Sequence, residues 1–142
     1  MPLYDSFQFQ PTLDALGRLR GAWPQRGWSW DTRLACVASS INVELTDEAL
    51  AAVGLAFPHR WTVTNITSAP SAVRGIADTT GGIRPDQLLF SMDPLLSSNL
   101  VYGLWWPWGD DVTISFRVGM VGPMLTREEF QARFRDVFGA TW

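Results

Sequence analysis

Three tryptophans and two carboxylates share one short stretch, residues 105–111, which reads Trp-Trp-Pro-Trp-Gly-Asp-Asp. Tryptophan buries a large apolar body and keeps an N–H donor, so it occurs in cores, in protein interfaces and in sugar sites. Trp105, Trp106 and Trp108 could stack on sugar rings while Asp110 and Asp111 bind hydroxyls, or the acids could help to hold Ca²⁺. The plainest alternative is that the acids only solvate a turn. A protein-binding surface is a further use, because aromatic anchors with charged neighbours are typical of interfaces.

One histidine and one cysteine leave few candidates for catalysis or metal binding. His59 is the one base for a Ser–His or Cys–His mechanism, and Cys36 lies in an apolar run that predicts a buried, inert thiol. No Gly-x-Ser-x-Gly elbow occurs, and an ordinary zinc site needs more His and Cys ligands than the chain holds. Gly81-Gly82 lacks the lysine of a P-loop, and no G-x-G-x-x-G occurs. We therefore expect a non-enzymatic protein without a cofactor, with His59 at the surface or in an interface.

The composition narrows the class of protein further. A chain of 142 residues with 46% hydrophobic and 18% charged residues fits one globular domain. The net charge is −3 and no basic patch occurs, which disfavours a nucleic-acid partner. A lone cysteine forms no internal disulfide, no signal peptide is evident, and no stretch nears the roughly 20 apolar residues that cross a bilayer. We expect a cytoplasmic protein with neither a nucleic-acid nor a membrane partner.

Alternation of apolar and polar residues gives the best-defined local prediction. The apolar positions of a strand over residues 112–120 are Val112, Ile114, Phe116, Val118 and Met120. Residues 100–106 are predicted to pair with it, and Pro107 and Gly109 place the reversal between the two strands. Because successive side chains of a strand point to opposite faces, Trp105 and Trp106 cannot both be buried. We expect one to pack under the helices and the other to be partly exposed, with Trp108 hard to bury.

The remaining patterns predict helices and short strands. The predicted helices run from Pro11 to Gly21, from Thr46 to about Val53, from Pro70 through Ala77, and from a capping box of Thr126 and Glu129 to Gly139. Strands are predicted at 61–66 and 88–92, a loop at 27–31, and a helix in preference to a strand at 34–41. Trp23 and Trp61 are predicted core residues. This order predicts an α+β fold: a single domain with a mostly antiparallel sheet, a meander or hairpin around 100–120, packed against helices.

The hairpin region resembles the central region of small bacterial immunity proteins. The resemblance rests on Tyr102-Gly103-Leu104-Trp105-Trp106, on Gly109-Asp110-Asp111 and on the strand over 112–119, and covers roughly residues 99–122. Proteins of that class are encoded beside polymorphic or contact-dependent toxins and neutralise them by direct binding. The resemblance implies a non-enzymatic inhibitor of a cognate protein toxin, and it implies no catalytic residues.

The predicted function is therefore partner binding through the hairpin and its neighbours. The candidate binding residues are Trp105, Trp106, Trp108, Asp110, Asp111, Asp78 and Glu44. Acidic groups suit a basic cleft on a toxin, because complementary charge speeds association. Two other classes stay open. One is a carbohydrate-binding domain or small glycan-active enzyme that uses the tryptophans as platforms, against which the missing export signal counts. The other is a secretion chaperone or adaptor, which should dimerise around an extended groove.

Overall fold

The structure is a computed structural model that describes residues 2–25, 27–32, 35–93, 99–122 and 128–140, without the side chains of residues 2–9, 129 and 130. Helices of the described ranges are α1 (Pro2–Ala22), α2 (Thr46–Gly54), α3 (Ser71–Thr79) and α4 (Glu128–Phe138). Strands are β1 (Ser29–Asp31), β2 (Cys36–Asn42), β3 (His59–Trp61), β4 (Leu88–Ser91), β5 (Leu100–Pro107) and β6 (Thr113–Val121). None of these helices is long and apolar enough to cross a membrane.

One antiparallel sheet organises the molecule. Its strand order is β1-β2-β6-β5-β4-β3, so the β5–β6 hairpin lies at the centre. Strands β3 to β6 form a meander, and β2 then adds to the free side of β6 with Ser39 opposite Phe116. The architecture confirms the predicted α+β fold and the hairpin around 100–120.

The two faces of the sheet bury different sets of residues. Phe116, Val101 and Trp105 belong to the larger core, which also contains residues of α1, α2 and α4. Tyr102 and Leu104 alternate with them and belong to a smaller core together with the buried face of α3. The sheet is therefore a central layer that is covered fully on one side and only partly on the other.

Helix α3 and the C-terminal end of α4 lie much as their patterns predict. Val73, Ile76 and Ala77 form the buried stripe of α3. The helix ends where Gly82 donates its N–H to the Ala77 carbonyl oxygen at 2.6 Å, a bond that requires the positive φ of the glycine pair. Phe134 and Phe138 of α4 are buried, and Gly139 follows with a φ of +59°. The predicted capping residue Thr126 lies outside the described residues.

Four local predictions are wrong. From Cys36 onward the run 34–41 is strand β2 and not helix, because Val37 and Ile41 point into the larger core while the backbone pairs with β6. The predicted loop at 27–31 contains the edge strand β1. The predicted strand at 61–66 ends at Trp61, because the Asn65 side chain accepts the Thr62 N–H at 2.6 Å and closes a turn. Helix α1 begins at Pro2, so Pro11 lies inside it.

The two predicted core tryptophans differ in burial. Trp23 is buried and donates its indole N–H to the Ser39 hydroxyl at 3.0 Å. Trp61 is only half-buried, with its N–H bonded to the Ser91 hydroxyl at 3.0 Å and its ring stacked beside His59. Trp61 borders the smaller core because β3 is the edge strand of the sheet.

Candidate functional site

The turn between β5 and β6 is held by one of its two acids. Asp110 accepts hydrogen bonds from the backbone N–H groups of Val112 and Thr113, both at 2.9 Å, and from the Thr113 hydroxyl at 2.8 Å. The Trp108 N–H donates to the Thr113 carbonyl oxygen at 2.8 Å and closes the hairpin. Asp111 has a φ of +60°, a left-handed conformation that aspartate tolerates better than most residues. Asp110 therefore caps the turn, whereas Asp111 presents an exposed carboxylate.

These bonds give Asp110 a pH-dependent role in stability. The hydrogen bonds from the Val112 and Thr113 N–H groups, and then from the Thr113 hydroxyl, hold its pKa below the ordinary value of 3.8. A carboxylate with a lowered folded-state pKa contributes stability above its unfolded pKa, and that stability is lost as pH falls through the folded pKa.

Asp110→Ala is therefore expected to lower the melting temperature more at neutral pH than in acid. At about pH 7 the variant lacks three bonds to a carboxylate, whereas in acid the wild-type carboxyl gains its proton as the pH falls through its folded-state pKa and loses this advantage. Thermal unfolding of both proteins at neutral and at acid pH checks this. A gap in melting temperature that widens on acidification would contradict it.

The tryptophans of the hairpin occupy three different environments. Trp105 is 3% exposed and lies in the larger core, 6.2 Å from the ring of Phe116. Trp106 is half-buried on the opposite face, and Trp108 is 53% exposed at the hairpin end. The prediction that Trp105 and Trp106 point to opposite faces is confirmed. Trp105 packs in the larger core of the free chain, so of the three tryptophans only Trp106 and Trp108 reach the surface.

Two further exposed apolar residues, Val43 and Val112, lie beside the hairpin turn. The Val43 N–H donates to the Val112 carbonyl oxygen at 2.7 Å, which joins the end of β2 to the hairpin. Both valines are exposed, at 43% and 47%, and Glu44 next in the chain is exposed as well. We name this region the hairpin-end surface; it comprises Trp108, Val112, Val43, Asp110, Asp111 and Glu44. The structure thus brings the weaker candidate Glu44 to the predicted hairpin.

Val43 and Val112 were missed as surface residues. The alternating pattern placed Val112 on the inward side of the strand, but β6 begins at Thr113 and leaves Val112 outside. Val43 follows strand β2, whose sequence predicts a helix, so its position beside the hairpin could not be predicted. The remaining candidate, Asp78, is exposed in the last turn of α3 and is not part of the hairpin-end surface.

A groove of about 360 Å³ lies between the loop after α3 and the end of the hairpin. Its polar and aromatic lining includes Arg84, Gln87, Trp106, Trp108, Ser115 and Arg117, and no carboxylate occurs among the described lining residues. Trp108 thus belongs both to the groove and to the hairpin-end surface. Arg84, in the loop after α3, lines this groove and was not among the residues that the sequence singled out.

Arg117 is held in place from several sides. Its Nη1 group donates to the Asp31 carboxylate at 2.7 Å, and its guanidinium carbon lies 5.5 Å from the centre of the Trp106 ring. Burial raises the pKa of the neighbouring Cys36 thiol, an effect that Arg117 only partly opposes. Burial likewise raises the pKa of Tyr102 to about 12. Cys36 is therefore buried and protonated at neutral pH, in keeping with the prediction of an inert thiol.

His59 lies toward the end of the sheet that is farther from the hairpin turn. Its Nε2 atom is 2.7 Å from the Asp93 carboxylate, and both side chains are largely exposed. An apolar cavity of about 170 Å³ adjoins them, but the Ser91 hydroxyl in its wall accepts the Trp61 N–H. His59 is a surface residue, as predicted. Within the described ranges, no group of three or more His, Cys, Asp and Glu side chains could hold a metal ion.

Comparison of the chain with protein-family models, curated proteins and solved structures gave no match. The resemblance to toxin-immunity proteins therefore stays a prediction that rests on residues 99–122.

Proposed function

We propose that the protein is a non-enzymatic binding protein of the immunity type, which neutralises a cognate toxin in the cytoplasm by direct contact. The observation that carries the proposal is that three exposed apolar residues and several exposed acids occur together at the end of the hairpin. Trp108, Val43 and Val112 are the apolar members, and each exposes more than two-fifths of its surface. A soluble partner that covers them would remove this apolar area from water.

Trp108 has the properties of an interface hot spot. Tryptophan is among the residues that carry most binding energy, because its large rigid surface loses little conformational freedom on contact. The backbone N–H of Trp108 is already bonded to Thr113, so the hairpin fixes the backbone from which the indole projects before a partner arrives. An anchor that is ordered in advance favours binding, because less conformational entropy is lost when the complex forms.

The charges of this surface favour a basic partner. Glu44 and Asp111 are exposed at the hairpin end, and the whole chain has a net charge of −3. Many toxins that act on nucleic acids carry basic clefts, since phosphate binding requires cations. Complementary charge on the inhibitor would steer the two proteins together and raise the association rate.

The carbohydrate alternative has weaker support, because most indole faces are in contact with other side chains. Arg117 lies over Trp106, Arg135 lies over Trp30 at 5.1 Å, and the His59 ring stacks beside Trp61. Trp108 is the one tryptophan in the described ranges that is more than half exposed. A sugar platform that stacks several rings would need more free indole faces than Trp108 alone provides.

Co-expression with the product of the adjacent gene tests the proposal. We expect the wild-type chain to co-purify with that product and to relieve its toxicity. The double variant Glu44→Lys, Asp111→Lys should associate roughly tenfold more slowly, because the steering charge is reversed.

A matched pair of charge reversals on α1 and α4 controls for net charge. Asp14→Lys, Asp136→Lys changes the net charge of the chain by the same amount on exposed residues away from the hairpin. This variant should keep most of the wild-type association rate. Equal slowing by both double variants would mean that only net charge matters, and absence of any complex with the neighbouring product would overturn the immunity proposal.

A further inference from the structure

The groove beside Trp108 differs in charge from the hairpin-end surface. Arg84 and Arg117 line it, whereas no carboxylate occurs among its described lining residues. Its volume of about 360 Å³ lies at the lower end of the range of small-ligand sites, which is roughly 300–1,000 Å³. The groove is therefore large enough for one ring with one charged substituent, and its charges favour an anion.

The two arginines contribute differently to this site. Arg117 is paired with Asp31 at 2.7 Å, so its charge is largely compensated and its position is fixed. Arg84 is exposed and forms no ion pair among the described residues. Its loop is ordered by two bonds, from the Arg84 N–H to the Gln87 side-chain oxygen at 3.0 Å and from the Gln87 N–H to the Arg84 carbonyl oxygen at 2.9 Å. Arg84 is thus an available cation on a fixed loop.

The tryptophans of the groove add flat apolar surface beside these cations. The Trp106 ring carries the guanidinium of Arg117, which fixes one wall. Trp108 is 53% exposed and offers an indole face to a planar group. Sites for small ligands combine such apolar walls with a few polar groups that set orientation, and Ser115 and Gln87 supply such groups here.

We propose that this groove binds a small aromatic carboxylate, with the carboxylate against Arg84 and the ring against Trp108. A planar guanidinium can donate two parallel hydrogen bonds to a carboxylate, which selects this anion over a neutral amide of the same shape. This proposal does not rest on the protein partner proposed above, because the isolated chain would recognise the ligand, although Trp108 belongs to both surfaces.

Titration of the ¹⁵N-labelled full chain with benzoate, followed by NMR, tests the proposal. We expect saturable shifts of the indole N–H signals of Trp106 and Trp108, with a dissociation constant on the order of 1 mM for so small a probe. Benzamide, which has the same shape without the charge, should bind at least about tenfold more weakly. Arg84→Gln should weaken benzoate binding by about tenfold, because it removes the hydrogen bonds to the charged group.

Arg74→Gln is the matched control, since Arg74 is exposed on α3 and does not line the groove. It should leave the benzoate titration unchanged. Equal binding of benzoate and benzamide, an Arg84→Gln titration like that of the wild type, or no shift of the two indole signals up to about 20 mM benzoate would overturn the proposal. A loss of benzoate binding in Arg74→Gln equal to that in Arg84→Gln would also overturn it.

Discussion

Replacing Phe116 with alanine is expected to lower the free energy of unfolding by about 3–5 kcal/mol. Phe116 is fully buried at the centre of β6, where its ring contacts the rings of Trp23, Trp28, Phe57, Phe90 and Trp105. A β-carbon on Gly103 of β5 would lie 2.7 Å from Phe116 Cζ, so the ring fills the space that this glycine leaves open. Truncation would leave a cavity that five aromatic neighbours cannot fill without leaving their own rotamers.

Urea unfolding of the wild type and the variant measures this loss. Val112→Ala is the control on the same hairpin, because Val112 is exposed and should change stability by no more than about 0.5 kcal/mol. A loss below about 1 kcal/mol for Phe116→Ala would mean that the aromatic cluster does not form the centre of the core.

Trp108→Ala is expected to weaken binding to the proposed partner by about 2 kcal/mol or more, which corresponds to roughly thirtyfold in dissociation constant. Stability should change little, because the hairpin bond of residue 108 uses its backbone N–H and the indole is 53% exposed. Calorimetric titration of the proposed partner into the wild type and the variant measures the affinity, and thermal unfolding measures the stability.

Leu55→Ala is the matched control for this substitution. Leu55 is 50% exposed, nearly as much as Trp108, but it follows the C-terminal end of α2 and not the hairpin. It should leave the affinity unchanged. Equal affinities for Trp108→Ala and the wild type would show that the hairpin end is not the binding surface, even where a complex forms.

The central hairpin could be predicted because its information is local. Strict alternation from Val112 to Met120 and a proline–glycine reversal define both strands without reference to the rest of the chain. Strand β2 could not be predicted in this way. Its apolar run fits a helix as well as a buried strand, and pairing with β6, which places Ser39 opposite Phe116, decides between them.

Some features of the candidate site could likewise be predicted from local sequence, whereas others required the fold. Exposure of Trp108 and the opposite directions of Trp105 and Trp106 followed from the strand period and from the turn. The capping role of Asp110 was also within reach, since aspartate commonly bonds the backbone two residues on. The Val43–Val112 bond joins segments far apart in sequence, so the position of Glu44 beside the hairpin required the fold.

Hydrogen–deuterium exchange of the chain, free and in complex with the neighbouring gene's product, tests the binding surface most directly. We expect slower exchange on binding in two segments, residues 106–113 and 42–45, which meet at the Val43–Val112 bond. The segment around Leu55 should exchange equally fast in both states. Protection confined to other segments, with the hairpin end unchanged, would show that the partner binds elsewhere.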